Sequence, residues 1–135
     1  MSTKIFVNLP VQDLDRSVKF FSSLGYTFNA QFTDENATAM VISEDIYAML
    51  LVKPFFQTFT RKKICDSTKS TEVIIALTAD SRALVDEMVD KAIAAGATSP
   101  EGPKDYGFMY QRDFQDPDGH LWEIFFMDPE YVQKT

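Results

Sequence analysis

The chain has 135 residues, the length of one ordinary domain, and its 45% hydrophobic and 24% charged residues suit a folded globule rather than a disordered segment. Lys plus Arg number 13 against 20 Asp plus Glu, a net charge of −7, which repels phosphate backbones and sets nucleic acid aside as a partner. Cys65 is the one cysteine, so no intramolecular disulfide can form, and no apolar run is long enough to span a bilayer. Met1-Ser-Thr-Lys-Ile5 enters a strand pattern with no apolar leader; a cytoplasmic protein without a membrane partner is expected.

Lys4 to Val11 alternates as a half-buried strand, with Ile5, Val7, Leu9 and Val11 on one face and Phe6 and Asn8 on the other. Asp13 offers a helix N-cap, Leu14, Val18, Phe21 and Leu24 follow at helical spacing, and Gly25 closes the helix. Tyr26 to Phe32, Ala37 to Ser43 and Tyr47 to Val52 read as three strands separated by polar turns. Lys53 to Ser70 is long for a linker and holds Phe55, Phe56 and Phe59, then Arg61-Lys62-Lys63, a solvated basic run.

The same order then starts again. Glu72 to Thr78 is a β-branched strand, Asp80 or Ser81 caps a helix with the stripe Val85, Met88, Ala92 and Ala95, and Gly96 ends it. Ala97 to Ser99 reads as a short strand, and Phe108 to Gln115 and His120 to Met127 as longer ones. Asp116-Pro-Asp-Gly119 is a strong turn signal between these last two. The expected architecture is α+β, with a βαβββ module over 1–52, a linker over 53–70 and a second module over 71–135. Superposing Asp13 on Asp80 sets Asn8 on Ile75.

Paired βαβββ modules, the opening Phe6-Val-Asn-Leu-Pro-Val-Gln-Asp-Leu-Asp-Arg-Ser-Val18 and the stretch Asp116-Pro-Asp-Gly-His-Leu-Trp-Glu123 resemble the vicinal oxygen chelate superfamily. This is the group of glyoxalase I, fosfomycin and bleomycin resistance proteins and extradiol dioxygenases. Phe6 to Leu14, Ser43 to Leu51, Phe55 to Asp66 and Asp105 to Tyr110 resemble a branch labelled only as predicted lactoylglutathione lyase-related. The resemblance implies two curled sheets that pair around a cleft. In metalloenzyme members it implies four ligands, one on the first and one on the last strand of each module, holding a divalent ion that acts as a Lewis acid.

Carried over residue by residue, those positions are Asn8, Ile75, Met49 and Glu123. Glu123 is a good hard ligand, Asn8 a weak one, and Ile75 and Met49 are not ligands for Mg²⁺, Mn²⁺ or Zn²⁺. No cofactor is therefore expected, with Asn8 and Glu123 as the weak metal candidates. The expected function is binding of a small organic molecule in an aromatic, acidic cleft. The alternative is a metal-dependent lyase, isomerase or dioxygenase. Glu123 is the candidate catalytic or acceptor group, and Asn8, Met49, Ile75, Tyr110, Arg112 and Phe125 are the candidate ligand contacts. The Phe-rich linker and the resemblance together imply a homodimer.

Overall fold

The computed structural model describes residues 2–131. They fall into two units that divide between Asp66 and Ser67, inside the expected linker. No helix among the described residues is long and apolar enough to cross a membrane.

In the first unit β1 (Ile5–Val11) leads into α1 (Leu14–Ser23), followed by β2 (Thr27–Asn29), β3 (Ala37–Ser43) and β4 (Ile46–Val52). The sheet order is β1-β4-β3-β2, with β1 parallel to β4 and the other pairs antiparallel. The Asp13 carboxylate accepts from the Arg16 N–H at 3.2 Å and so caps α1. Phe20, Phe21 and Leu24 are buried on the helix side, together with Leu9, Val11, Met40, Ala48 and Leu50 from the strands. Each such large apolar side chain contributes roughly 1.5–3 kcal/mol when fully buried. Strand alternation then turns Phe6, Asn8, Tyr47 and Met49 to the other face.

The expected strand Tyr26 to Phe32 stops early. Asn29 bends back, its side-chain oxygen accepting from the Gln31 N–H at 2.9 Å, and Ala30–Phe32 forms a 3₁₀ turn. The linker is also more regular than its composition suggested. Lys53–Phe56 is one helical turn, α2, with Pro54 in its first turn, and Gln57–Phe59 continues it as 3₁₀.

In the second unit β5 (Ile74–Thr78) leads into α3 (Arg82–Ala94), then β6 (Lys104–Asp105), β7 (Met109–Gln115) and β8 (Leu121–Met127). The order β5-β8-β7-β6 repeats that of the first unit, again with the first strand parallel to the last. The expected α+β architecture of two βαβββ modules is therefore observed. Ser81 caps α3, its hydroxyl accepting from the Leu84 N–H. Val85, Val89 and Ala92 form the buried stripe of α3, so Val89 takes the place expected for Met88. Ala97 to Ser99 makes one bridge, Thr98 to Gln115, instead of a strand, and the two-residue β6 supplies the edge.

The hairpin of β7 and β8 turns on Asp116-Pro-Asp-Gly119, and Asp116 organises it. Its buried carboxylate accepts from the Asp118 N–H at 2.9 Å, the His120 N–H at 3.0 Å and the Trp122 indole N–H at 3.0 Å. Trp122 stacks on Phe114 with ring centroids 6.1 Å apart, and both are buried.

Candidate functional site

Register decides which side chains share a face with Glu123. In the parallel ladder Ala76 lies opposite Glu123, while Ile75 lies opposite Trp122 and Leu77 opposite Ile124. Trp122 and Ile124 are buried on the α3 side, so Ile75 belongs to that side and leaves the Glu123 face. This corrects the expected placement of Ile75 by one residue. The cause is the cap: superposing Asp13 on the observed cap Ser81, rather than on Asp80, sets Asn8 on Ala76. A one-residue slip inverts every side chain of a strand.

Tyr110 and Arg112 are also on the α3 side, opposite Phe126 and Ile124, and are corrected from cleft residues to helix anchors. The Tyr110 hydroxyl donates to Asp86 at 2.6 Å, and Arg112 bridges Asp86 at 3.1 Å and Asp90 at 2.9 Å. The hydrogen bond to Asp86, followed by burial, holds the Tyr110 hydroxyl above its ordinary pKa. Arg112 is the half of this network shielded from water, at 14% side-chain exposure, while both aspartates are open to solvent. Arg112→Ala is expected to destabilise the fold by about 1–2 kcal/mol, because it leaves Asp86 and Asp90 facing each other at i,i+4 spacing. Denaturant titration should show this cost shrinking at high salt; a salt-independent cost would point to lost packing alone.

The face turned away from α3 carries a different set. Asp113 stands directly opposite Glu123, and Gln111 opposite Phe125. The Gln111 side-chain amide donates to Glu123 Oε2 at 3.3 Å. Asp113 is buried and committed elsewhere: it accepts from Ser99 Oγ at 2.8 Å and from the Glu101 and Gly102 N–H groups at 3.0 and 3.2 Å. It thereby ties the 99–102 loop to the sheet. Leu121 and Phe125, half-buried, flank Glu123 along β8. Gln111 and Asp113 escaped the sequence reading, although the signal was present. A hairpin symmetric about the Asp116–Gly119 turn places them on the Glu123 face by alternation alone.

Asn8 and Met49 lie opposite each other on β1 and β4, on the face turned away from α1. Asn8 is exposed, and its amide donates to the Phe6 carbonyl at 3.3 Å. Beside it Phe6 stacks on Tyr47, centroids 4.6 Å apart. By register the positions that the resemblance implies as ligands are Asn8 and Met49 in the first unit, and Ala76 and Glu123 in the second. Among the described residues no group of three or more His, Cys, Asp or Glu side chains is placed to hold a metal ion. Elsewhere in the first unit, a hollow of about 610 Å³ opens at the start of α1, lined by residues that include Gln12, Asp13, Asp15, Arg16, Asp34 and Glu35. None of the candidate site residues lines it.

Residues 3–43 match the family described as Bleomycin resistance protein-like N-terminal. A hypothetical protein from S. aureus is 28% identical, with 93% of this chain and 95% of that one covered at a TM-score of 0.78. A glyoxalase/bleomycin resistance protein/dioxygenase family enzyme from Burkholderia phytofirmans PsJN is 18% identical, covering 93% and 99% at 0.77. An antibiotic binding protein from Streptomyces sp. CB03234 is 19% identical, covering 94% and 97% at 0.67. No curated protein matches the chain.

Proposed function

From its place in the vicinal oxygen chelate superfamily, with the glyoxalase/bleomycin resistance/dioxygenase fold, we propose that this chain binds a small organic molecule against the sheet face that carries Glu123. The observation that carries the reading is Glu123 itself. It is a half-buried carboxylate between Leu121 and Phe125, held by one side-chain hydrogen bond and by no ion pair among the described residues. Organic-ligand sites join large apolar contact area to a few polar groups that fix orientation, and this face has that make-up.

The reading does without the family's divalent ion. Neither the carboxylate and methyl group of the second unit nor the amide and thioether of the first fit a hard or borderline cation, and catalytic sites normally keep at least three protein ligands. Calorimetry with Zn²⁺, Ni²⁺, Mn²⁺ and Fe²⁺ should find no stoichiometric binding at micromolar concentration. Tight binding that disappears in Glu123→Ala would overturn the metal-free reading in favour of the metalloenzyme one.

The test of the binding role is Glu123→Gln. Titration with monocyclic aromatic amines should show on the order of 1–3 kcal/mol lost from binding, with the thermal midpoint unchanged. A lowered midpoint with binding intact would make Glu123 a structural carboxylate.

A homodimer belongs to the same proposal, supported by Phe59, which is 68% exposed at the end of the Phe55–Phe59 edge-to-face pair. Sedimentation at tens of micromolar should give the mass of two chains; the mass of one would contradict it. A cytoplasmic setting, in which the exposed Cys65 thiol stays reduced, completes the reading.

A further inference from the structure

We propose that Gln111 determines the specificity of the Glu123 site, and that the pair selects a cationic head group with two N–H donors, an amidine or a guanidine. The inference rests on the Glu123 face being the binding surface and adds what kind of molecule it takes.

The orientation of the Gln111 amide is fixed by chemistry. An ionised carboxylate only accepts hydrogen bonds, so the 3.3 Å contact to Glu123 Oε2 must be made by Nε2. The amide oxygen of Gln111 and Oε1 of Glu123 are then the acceptors that remain on two side chains already in hydrogen-bond contact. Neither side chain has another hydrogen bond or ion pair among the described residues. Two acceptors on touching side chains, neither of them engaged by a donor among the described residues, suit a planar group that offers two N–H bonds.

Two features surrounding the pair favour a positive charge in that group, and a third leaves room for it. Asp113 faces Glu123 across the ladder, and its carboxylate is occupied by Ser99, Glu101 and Gly102. It adds negative potential without competing for the ligand. No Lys or Arg among the described residues forms an ion pair with either carboxylate, and like charges opposed on adjacent strands are unfavourable until compensated. On the other side of Glu123 stands Ala76, exposed and ending in a methyl group, which leaves the approach to the carboxylate unfilled. Phe125 and Leu121 supply apolar surface for the body of the ligand.

The probes are benzamidine, benzamide and benzoate, which share one ring and differ in head group. Each is titrated into the wild type, Gln111→Met and Gln111→Lys, following the Leu121–Phe125 amide resonances. Benzamidine should bind at least about ten-fold tighter than benzoate, with a dissociation constant near 1 mM or below. Gln111→Met should weaken benzamidine about ten-fold, the effect of one lost charge-assisted hydrogen bond. Gln111→Lys, whose ammonium would pair with Glu123, should abolish benzamidine binding and admit benzoate. If all three probes bind the wild type alike and neither variant changes their order, the selectivity of Gln111 is overturned and the binding face stands. If no probe perturbs these resonances, the binding face falls and the selectivity with it.

Discussion

Replacing Gly119 with alanine is expected to destabilise the protein by about 3 kcal/mol or more. Gly119 has φ +89, which L side chains rarely adopt, and an added Cβ would meet the Ser67 carbonyl oxygen at 2.6 Å, its carbon at 2.7 Å and the Thr68 nitrogen at 2.8 Å. These are backbone atoms, and the segment is anchored by the Ser67 hydroxyl, which donates to the Asp118 carbonyl at 2.8 Å. Relief therefore requires the chain before β5 to leave the turn. Gly25 is the control: its φ is +101, but nothing lies within 4 Å of the Cβ position. Gly25→Ala should show the backbone strain alone, about 1–2 kcal/mol. In thermal unfolding the first variant should lose roughly 10 °C. Equal losses for the two would mean that Ser67 and Thr68 do not pack on the turn.

The second large effect belongs to Asp116. Asp116→Ala strands three N–H donors, one of them the buried Trp122 indole, and is expected to cost roughly 3–5 kcal/mol at neutral pH. Burial pushes the Asp116 carboxyl above its ordinary value near 3.8, against the pull of His120 and of the three N–H donors. A raised acid contributes stability that is complete below the unfolded value and is lost as pH climbs through the folded one. The gap in unfolding free energy between wild type and Asp116→Asn should therefore be widest at acid pH and narrow as pH rises from about 3.8. A gap that widens with pH would show that the donors, not burial, dominate the carboxylate.

Much of the fold was legible because its punctuation is chemical. Asp13 must cap, Asp116-Pro-Asp-Gly119 must turn, and alternation in β1 and β8 states which side faces a helix. The errors came where two residues of equal fitness stood side by side. Asp80 and Ser81 are both good caps, and choosing the first moved Ile75 onto the wrong face. Tyr110 and Arg112 were misplaced for a related reason: their partners Asp86 and Asp90 lie more than 20 residues away on α3, and sequence spacing gives no hint of that pairing. The short helix α2 and the two-residue β6 are too brief for periodicity to register. At the site, Glu123 could be found from its motif. Gln111 and Asp113 become visible only when the hairpin is folded back about its turn, since their significance lies in what stands opposite them.

The central claim is that a small molecule binds on the face formed by β7 and β8. Its most direct test is a map of backbone amide shifts in ¹⁵N-labelled wild-type protein titrated with benzamidine to about 1 mM. The account predicts perturbations centred on Gln111, Asp113, Glu123 and Phe125, with the α3 residues Val85 and Val89 unmoved. Perturbations centred on Asp13, Asp15 and Asp34, around the hollow at the start of α1, would contradict it.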